Sequence, residues 1–191
     1  MEGVEDIPGA ALSEGMSWDW ESFPEYLDAV ERMPRAVDVG SQVPHGAVRT
    51  YVMGERGAKN EKATPADIDG MAALVKEALQ AGALGFSTSR TILHRAKDGE
   101  LVPGTHASED ELMGIGRTLG EVGHGVFQIA SDLLPEEPEL AWMKRLSRET
   151  GQPVSFACLH TGIAPHRSLI YTRRCRRPTL RSATCTACSN T

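Results

Sequence analysis

One structural unit recurs four times along this sequence: a capped amphipathic helix, a Gly or Pro that stops it, and a short run of β-favouring residues. The first unit opens with Ser22-Phe-Pro-Glu25, in which a Ser is followed three residues later by Glu and Pro lies just inside the helix. That pattern is typical of a helix N-terminus. Apolar residues then recur at helical spacing until Pro34, which predicts a helix followed by a strand over residues 36–40.

The other three units repeat the same order. Their helices are predicted to open at Thr64-Pro65, at a capping box formed by Ser108 and Glu111, and between Pro135 and Pro138. Glycines stop them at Gly82, Gly123 and Gly151. The strands that follow are predicted over residues 83–88, 125–130 and 154–157.

Strands that alternate with helices of this length predict right-handed crossovers and a parallel sheet. We expect the four strands to be parallel neighbours in sequence order, with their helices on one face. Four such units make an α/β fold that is either half of a (β/α)8 TIM-type barrel or most of a small doubly wound sheet. The periodicity leaves this choice open, but in both architectures ligands bind beyond the carboxyl ends of the strands.

The composition changes sharply after residue 157. Residues 158–191 hold six arginines, all four cysteines and no acidic residue, whereas all 26 acidic residues precede them. We therefore expect a folded unit over residues 1–157 and an irregular, disordered C-terminal tail over residues 158–191. The tail resembles a shifted reading frame more than an evolved extension.

The first 157 residues are too acidic for nucleic-acid binding, which needs clustered Lys and Arg. They also lack Cys, a secretory leader and a long apolar run, so we expect a cytoplasmic protein without a membrane segment. In the tail, Cys185 and Cys188 have the spacing of half a zinc site, but no second pair completes it, and we expect no metal there. Two alternatives are a small zinc module and a basic arm for nucleic acid or anionic membranes.

The predicted strand ends supply three candidate substrate-binding residues, because the loops that follow them, 41–63 and 89–107, are long. His45 has a Gly neighbour and could face a substrate or a metal, or simply bond to backbone. Arg49 could hold a carboxylate in a bidentate fork, or be a solvated surface charge. Ser87 ends a strand, although no Gly-x-Ser-x-Gly elbow surrounds it.

The other histidines are weaker candidates. His94 and His106 flank a charged excursion and are predicted to lie on the surface, and His124 falls at the amino end of a strand. No His-x-His or His-Glu-x-x-His motif occurs in the first 157 residues, so the residues alone provide neither a complete metal site nor a triad.

Several blocks agree in order and spacing with one enzyme family. They are 1–9, 18–27, 39–49, 52–54, 63–65, 77–88 and 151–154. These blocks resemble the N-acyl-D-amino-acid deacylases (D-aminoacylases) of the amidohydrolase superfamily over about residues 1–157. The resemblance implies a (β/α)8 barrel, a zinc-bound water that attacks an amide, and N-acyl-D-amino acids as substrates. It therefore favours half a barrel over a doubly wound sheet.

The sequence also departs from that family where metal ligands are expected. Histidines would be expected near Gln128 to Ala130 and near Cys158, and neither position has one. We therefore predict a fragment of a metal-dependent amidohydrolase that is inactive alone and binds no zinc. The alternative is a non-catalytic barrel fragment or interaction protein, which could self-associate through its exposed barrel edges.

Overall fold

The computed structural model describes Val4, residues 7–133 and residues 136–156, so the predictions for residues 158–191 lie outside the described residues. The helices are α1 (Gly9–Gly15), α2 (Phe23–Arg32), α3 (His45–Met53), α4 (Glu55–Ala58), α5 (Pro65–Ala81), α6 (Glu109–Val122) and α7 (Glu136–Thr150). The strands are β1 (Val43–Pro44), β2 (Gly85–Arg90), β3 (Val126–Ser131) and β4 (Val154–Phe156).

The four strands form one parallel sheet in the order β1-β2-β3-β4. In its register, Phe86 pairs with Val43 on one side and with Phe127 on the other, and Phe127 pairs with Val154. Consecutive strands are therefore neighbours joined by helical crossovers, as the recurring units predict. The α/β architecture with four helix-strand units is confirmed.

The predicted first strand over residues 36–40 is wrong. These residues are exposed and irregular, and the strand lies at Val43–Pro44 instead. The physical reason is burial: Val43 is the residue that enters the core, at 2% exposure. Upstream of it, the Arg35 guanidinium bonds back to the carbonyls of Val30 at 2.7 Å and Glu31 at 3.1 Å, so the chain leaves α2 as a surface connection.

The predicted loop over residues 41–63 is also wrong, because it contains α3 and α4. Helix α3 begins at His45, directly after Pro44, which has extended backbone at the N-cap with φ of −82° and ψ of 123°. Val48, Arg49 and Met53 are buried along this helix. It packs against β2, so the excursion after β1 is an extra helical layer under the strand ends.

Side-chain caps define the starts of α2, α5 and α6, as predicted, although the cap of α6 is incomplete. Ser22 with Glu25 and Thr64 with Asp67 form reciprocal capping boxes. At α6 the Ser108 hydroxyl accepts from the backbone N–H of Glu111, but the Glu111 side chain does not return the bond. The predicted capping box is therefore only half formed, because the Glu111 carboxylate is used elsewhere.

The two faces of the sheet differ in character because side chains alternate along a strand. On one face the rings of Phe86, Phe127 and Trp142 of α7 are in contact, with centroids 5.1 and 6.1 Å apart. Helices α5, α6 and α7 pack side by side in this layer. The opposite face carries a polar row, Ser87 beside Gln128 beside Ser155, and we call it the inner face.

Within the described part of the chain, each helix is too short or too polar to traverse a lipid bilayer.

Gly85 marks a close approach of the β2 and β3 backbones. It has φ of 151°, and a Cβ added there would lie 2.0 Å from the carbonyl oxygen of Val126. We expect Gly85→Ala to lower the free energy of unfolding by about 3 kcal/mol or more, from combined clash and strain. Urea unfolding measures it. Gly15→Ala is the control, since nothing lies within 4 Å of that position; equal effects of both changes would contradict the register.

Candidate functional site

A buried polar cluster lies on the helix side of β2, near its carboxyl end. His45 Nε2 donates to Glu111 Oε1 at 3.0 Å, and His45 Nδ1 lies 2.8 Å from the Thr88 hydroxyl. The guanidinium of Arg49, one turn after His45 on α3, donates through Nη1 to the same carboxylate oxygen. His45, Arg49 and Glu111 are each 1% exposed, so this cluster joins α3, β2 and α6 without contact to solvent.

Each partner in this cluster fixes the others. Nε2 of His45 donates to the Glu111 carboxylate and Nδ1 has the Thr88 hydroxyl as its partner, so both ring nitrogens are hydrogen-bonded. The remaining Arg49 donors reach backbone: Nε donates to the carbonyl of Gly57 at 3.3 Å and Nη2 to the carbonyl of Glu61. The buried charges are therefore both paired and hydrogen-bonded, as burial requires.

The carboxyl group of Glu111 is held ionised. Burial, the largest single influence, raises its pKa, but the hydrogen bonds from His45 and Arg49 and their electrostatic attraction together keep the pKa below its ordinary value of 4.5. A buried carboxylate with two such partners contributes to folding as long as it stays charged.

A second polar group lies on the inner face. Ser87 and Ser89 are half-buried and follow each other on this face of β2, about 7 Å apart for two residues of strand. The Ser89 hydroxyl lies 2.8 Å from Nδ1 of His94. His94 is half-buried and therefore keeps part of its surface exposed, while its ring is paired with Ser89. His106 and His124 are exposed.

The ends of β2 and β3 are tied together by side chains. Asp132, just after β3, accepts from the Thr91 hydroxyl and, at 2.9 Å, from the backbone N–H of Ile92. Arg90 donates to both carboxylate oxygens of Glu139 on α7 and to the carbonyl of Ala107, so its guanidinium lies on the helix side. The strand ends are therefore rigidly positioned.

The structure brings two of the three sequence-predicted site residues together and separates the third. His45 and Arg49 share Glu111, whereas Ser87 lies on the opposite face, because it is the strand neighbour of Thr88. A substrate-binding role for these residues stays a prediction.

The sequence does not predict that Glu111 pairs with His45 and Arg49, or that Ser89 pairs with His94. Glu111 carries the signal of a capping residue, and only the four-residue spacing of His45 and Arg49 hints that both face one side of a helix.

The described residues do not provide a metal site. Across residues 7–133 and 136–156, no group of three or more His, Cys, Asp or Glu side chains is arranged to hold a metal ion. At the end of β3, where the family resemblance leads one to expect a histidine, the inner face carries Gln128 and Ala130. The other expected position, Cys158, lies outside the described residues.

A parallel four-stranded sheet whose consecutive strands are joined by crossover helices defines the class of fold: about half of a TIM-type barrel. The model of the amidohydrolase family (Amidohydro_3) matches residues 1–184, and the chain belongs to this family. The match runs past Ala157, and the interpretation of residues 158–191 stays a prediction.

Known proteins similar to this chain include two deacylases of Alcaligenes xylosoxydans xylosoxydans. A D-aminoacylase is 32% identical over 112 residues, which covers 59% of this chain and 21% of the relative. An N-acyl-D-aspartate deacylase is 43% identical over 67 residues, covering 35% of this chain and 13% of the relative. The resemblance to D-aminoacylases that the sequence indicates is thereby confirmed.

Solved structures agree. A crystal structure of D-aminoacylase superposes with a TM-score of 0.63 at 26% identity, over 90% of this chain and 36% of that one. A second, studied for the role of its binuclear metal centre, gives 0.61 at 28% identity, over 82% of this chain and 32% of that one. The chain thus spans about a third of the solved relatives.

Removing the charge of Glu111 leaves the Arg49 guanidinium buried without its counter-ion. We expect Glu111→Gln to lower the free energy of unfolding by about 3–5 kcal/mol. Glu109→Gln is the matched control, since Glu109 opens the same helix in an exposed ion pair with Arg145 and should cost at most about 1 kcal/mol. Chemical denaturation of the two variants gives the comparison, and indistinguishable values would refute the role given to the cluster.

The depressed pKa of Glu111 also predicts a pH dependence. A carboxyl whose pKa is lower in the folded state stabilises the protein above its unfolded pKa, and this contribution disappears as pH falls through the folded pKa. The stability advantage of the wild-type chain over Glu111→Gln should therefore be full above pH 4.5, the ordinary value, and shrink below it. Denaturation from pH 7 to pH 3 measures this difference; an advantage that grows on acidification would show the opposite linkage.

Proposed function

We propose that this chain forms the substrate-binding half of a metal-dependent amidohydrolase barrel that acts on the amide bond of N-acyl-D-amino acids. The observation that carries the proposal is the superposition of 90% of the chain on a D-aminoacylase at a TM-score of 0.63. The polar inner face at the carboxyl edge supports it, because TIM-barrel enzymes bind substrates there. The chain on its own is catalytically silent.

The residues divide into two roles under this proposal. Ser87 lies on the inner face and contacts the substrate with its hydroxyl. His45 and Arg49 do not contact the substrate, because both bond to Glu111 and are buried away from solvent; they affect binding by positioning β2. His45 also bonds to Thr88 of β2, so the position of the neighbouring Ser87 depends on this cluster.

We propose that the isolated chain has no hydrolase activity because the residues that the structure describes lack a cluster of metal-binding side chains. Zinc is expected for the complete family, and one solved relative is described by its binuclear metal centre. The described part of this chain offers no three-ligand cluster, so its residues do not fit such a centre and carry no metal-dependent step.

The lack of a three-ligand cluster in the described residues also favours a second candidate. This candidate is a non-catalytic barrel fragment that associates with further strands of a barrel. A cleft of about 760 Å³ opens beside β1, lined in part by Trp20, Tyr26, Val43 and Tyr51. An apolar cleft at a sheet edge suits the packing of a further strand or of a second copy. In either case we propose a cytoplasmic protein with a small-molecule rather than a nucleic-acid ligand, from the acidic, Cys-free first 157 residues.

Release of free D-leucine from N-acetyl-D-leucine separates the candidates. The 191-residue chain, supplied with Zn²⁺, should give no release above the buffer rate, with N-acetyl-L-leucine as the stereochemical control. Zn²⁺-dependent release that a chelator abolishes would refute the silence of the chain and establish hydrolysis. Calorimetric titration with both enantiomers then tests binding: preference for the D-form supports the amidohydrolase half-barrel, and no binding favours the non-catalytic fragment.

A further inference from the structure

Ser89 and His94 form a polar pair at the carboxyl edge of β2, on the inner face. The two atoms that join them, Ser89 Oγ and His94 Nδ1, are 2.8 Å apart. Both residues are half-buried, so each keeps part of its surface exposed. The second ring nitrogen of His94, Nε2, has no hydrogen-bond partner in the part of the chain that the structure describes.

The turn that carries His94 is held by its own hydrogen bonds. The Thr91 hydroxyl donates to Asp132 and accepts from the backbone N–H of Leu93 at 3.1 Å. Asp132 also accepts from the backbone N–H of Ile92 at 2.9 Å. Ser89 thus orients the imidazole ring, and Asp132 holds the turn that precedes His94. Such preorganisation lowers the cost of binding a ligand.

Three arginines near these strand ends already have partners, and Arg95, next to His94, donates to the carbonyl of Gly99 at 2.7 Å. Arg49 is buried against Glu111, and Arg90 makes a bidentate pair with Glu139 on the helix side. Neither can serve a negatively charged ligand at the inner face without abandoning its own carboxylate. His45 is fully buried with both ring nitrogens bonded. Nε2 of His94 is a ring nitrogen near the inner face that these commitments leave for an anion.

From this geometry we propose that His94, oriented by Ser89, binds the carboxylate of an N-acyl amino acid through its Nε2–H. The Ser89 hydroxyl donates to Nδ1, which places the ring proton on Nε2 and makes that nitrogen a donor. The inference rests on the proposed function for its ligand: the relatives are named for acylated D-amino acids and D-aspartate, both of which carry a carboxylate. Ser87, on the same face, contributes a second hydroxyl about 7 Å along the strand.

Binding of two matched ligands tests the proposal on the full 191-residue chain. N-acetyl-D-leucine carries the carboxylate and N-acetyl-D-leucinamide lacks it, so the acid should bind at least about tenfold more tightly. His94→Ala should remove this preference, while His106→Ala, an exposed histidine of the same excursion, should keep it within about twofold. Equal binding of acid and amide, or no binding of the acid, would overturn the proposal.

The ring proton gives a second readout that a merely structural histidine would not follow. Nitrogen-15 NMR of the imidazole should show the Nε2–H form of His94 in the wild-type chain and a mixture of forms in Ser89→Ala, with His106 unchanged. The acid should then shift the His94 Nε2 signal and the amide should not. A His94 ring that carries its proton on Nδ1 would contradict the proposal that Ser89 donates to Nδ1 and that Nε2 donates to the ligand.

The outcomes also separate this inference from the proposed function. Carboxylate binding that depends on His94 but is equal for N-acetyl-D-leucine and N-acetyl-L-leucine would remove the D-amino-acid function and leave the carboxylate site. Preference for the D-enantiomer that survives in His94→Ala would support the function and remove His94 from it.

Discussion

The constraint on which the structure depends is the burial of one carboxylate. Glu111 lies at 1% exposure, and a charge so far from water is tolerable only if donors surround it. Those donors come from α3, which places His45 and Arg49 one turn apart on the same side. The helix after β1, the strand β2 and the first turn of α6 must therefore assemble together, because none can bury its polar group alone.

Strand β2 connects this interior to the face that we assign to the ligand. Thr88 bonds into the buried cluster, while Ser87 and Ser89 on either side of it point to the inner face, as the two-residue repeat of a strand requires. The polar residues on the two faces are thus fixed by the same backbone. Asp132 extends this rigidity to the turn after β2 and to the end of β3. A binding face made in this way needs little ordering when a ligand arrives.

Much of the fold could be predicted because its signals are local. Capping residues, helical spacing and glycine stops place α2, α5 and α6 to within a residue or two, and the recurring order fixes the parallel topology. The first strand could not be placed, since β1 has only two residues and no alternation to detect. Helix α3 was hidden by its polar and glycine-containing start, and its stability comes from the buried contacts of His45, Val48 and Arg49 rather than from propensity.

The candidate site was less predictable, because its contacts join distant parts of the chain. His45 is recognisable as a candidate, but Glu111 lies 66 residues away, and its sequence neighbourhood describes a capping box. In the structure the Glu111 carboxylate pairs with His45 and Arg49 of α3 instead of capping its own helix. Ser89 and His94 are only five residues apart, yet a turn held by Asp132 is needed before they meet. Local patterns supply residue types, and the assembled sheet decides their partners.

The shared carboxylate also shapes how this sequence can change over time. Residues 45, 49, 88 and 111 form one network, so the effect of replacing any of them depends on which of the others are present. A lineage that loses Glu111 must also replace Arg49, and an intermediate with only one of the two is penalised. We expect these four positions to covary among relatives, either retained together as a charged set or replaced together by apolar residues. We expect residues of the half-buried inner face to vary instead with the ligand that each relative binds.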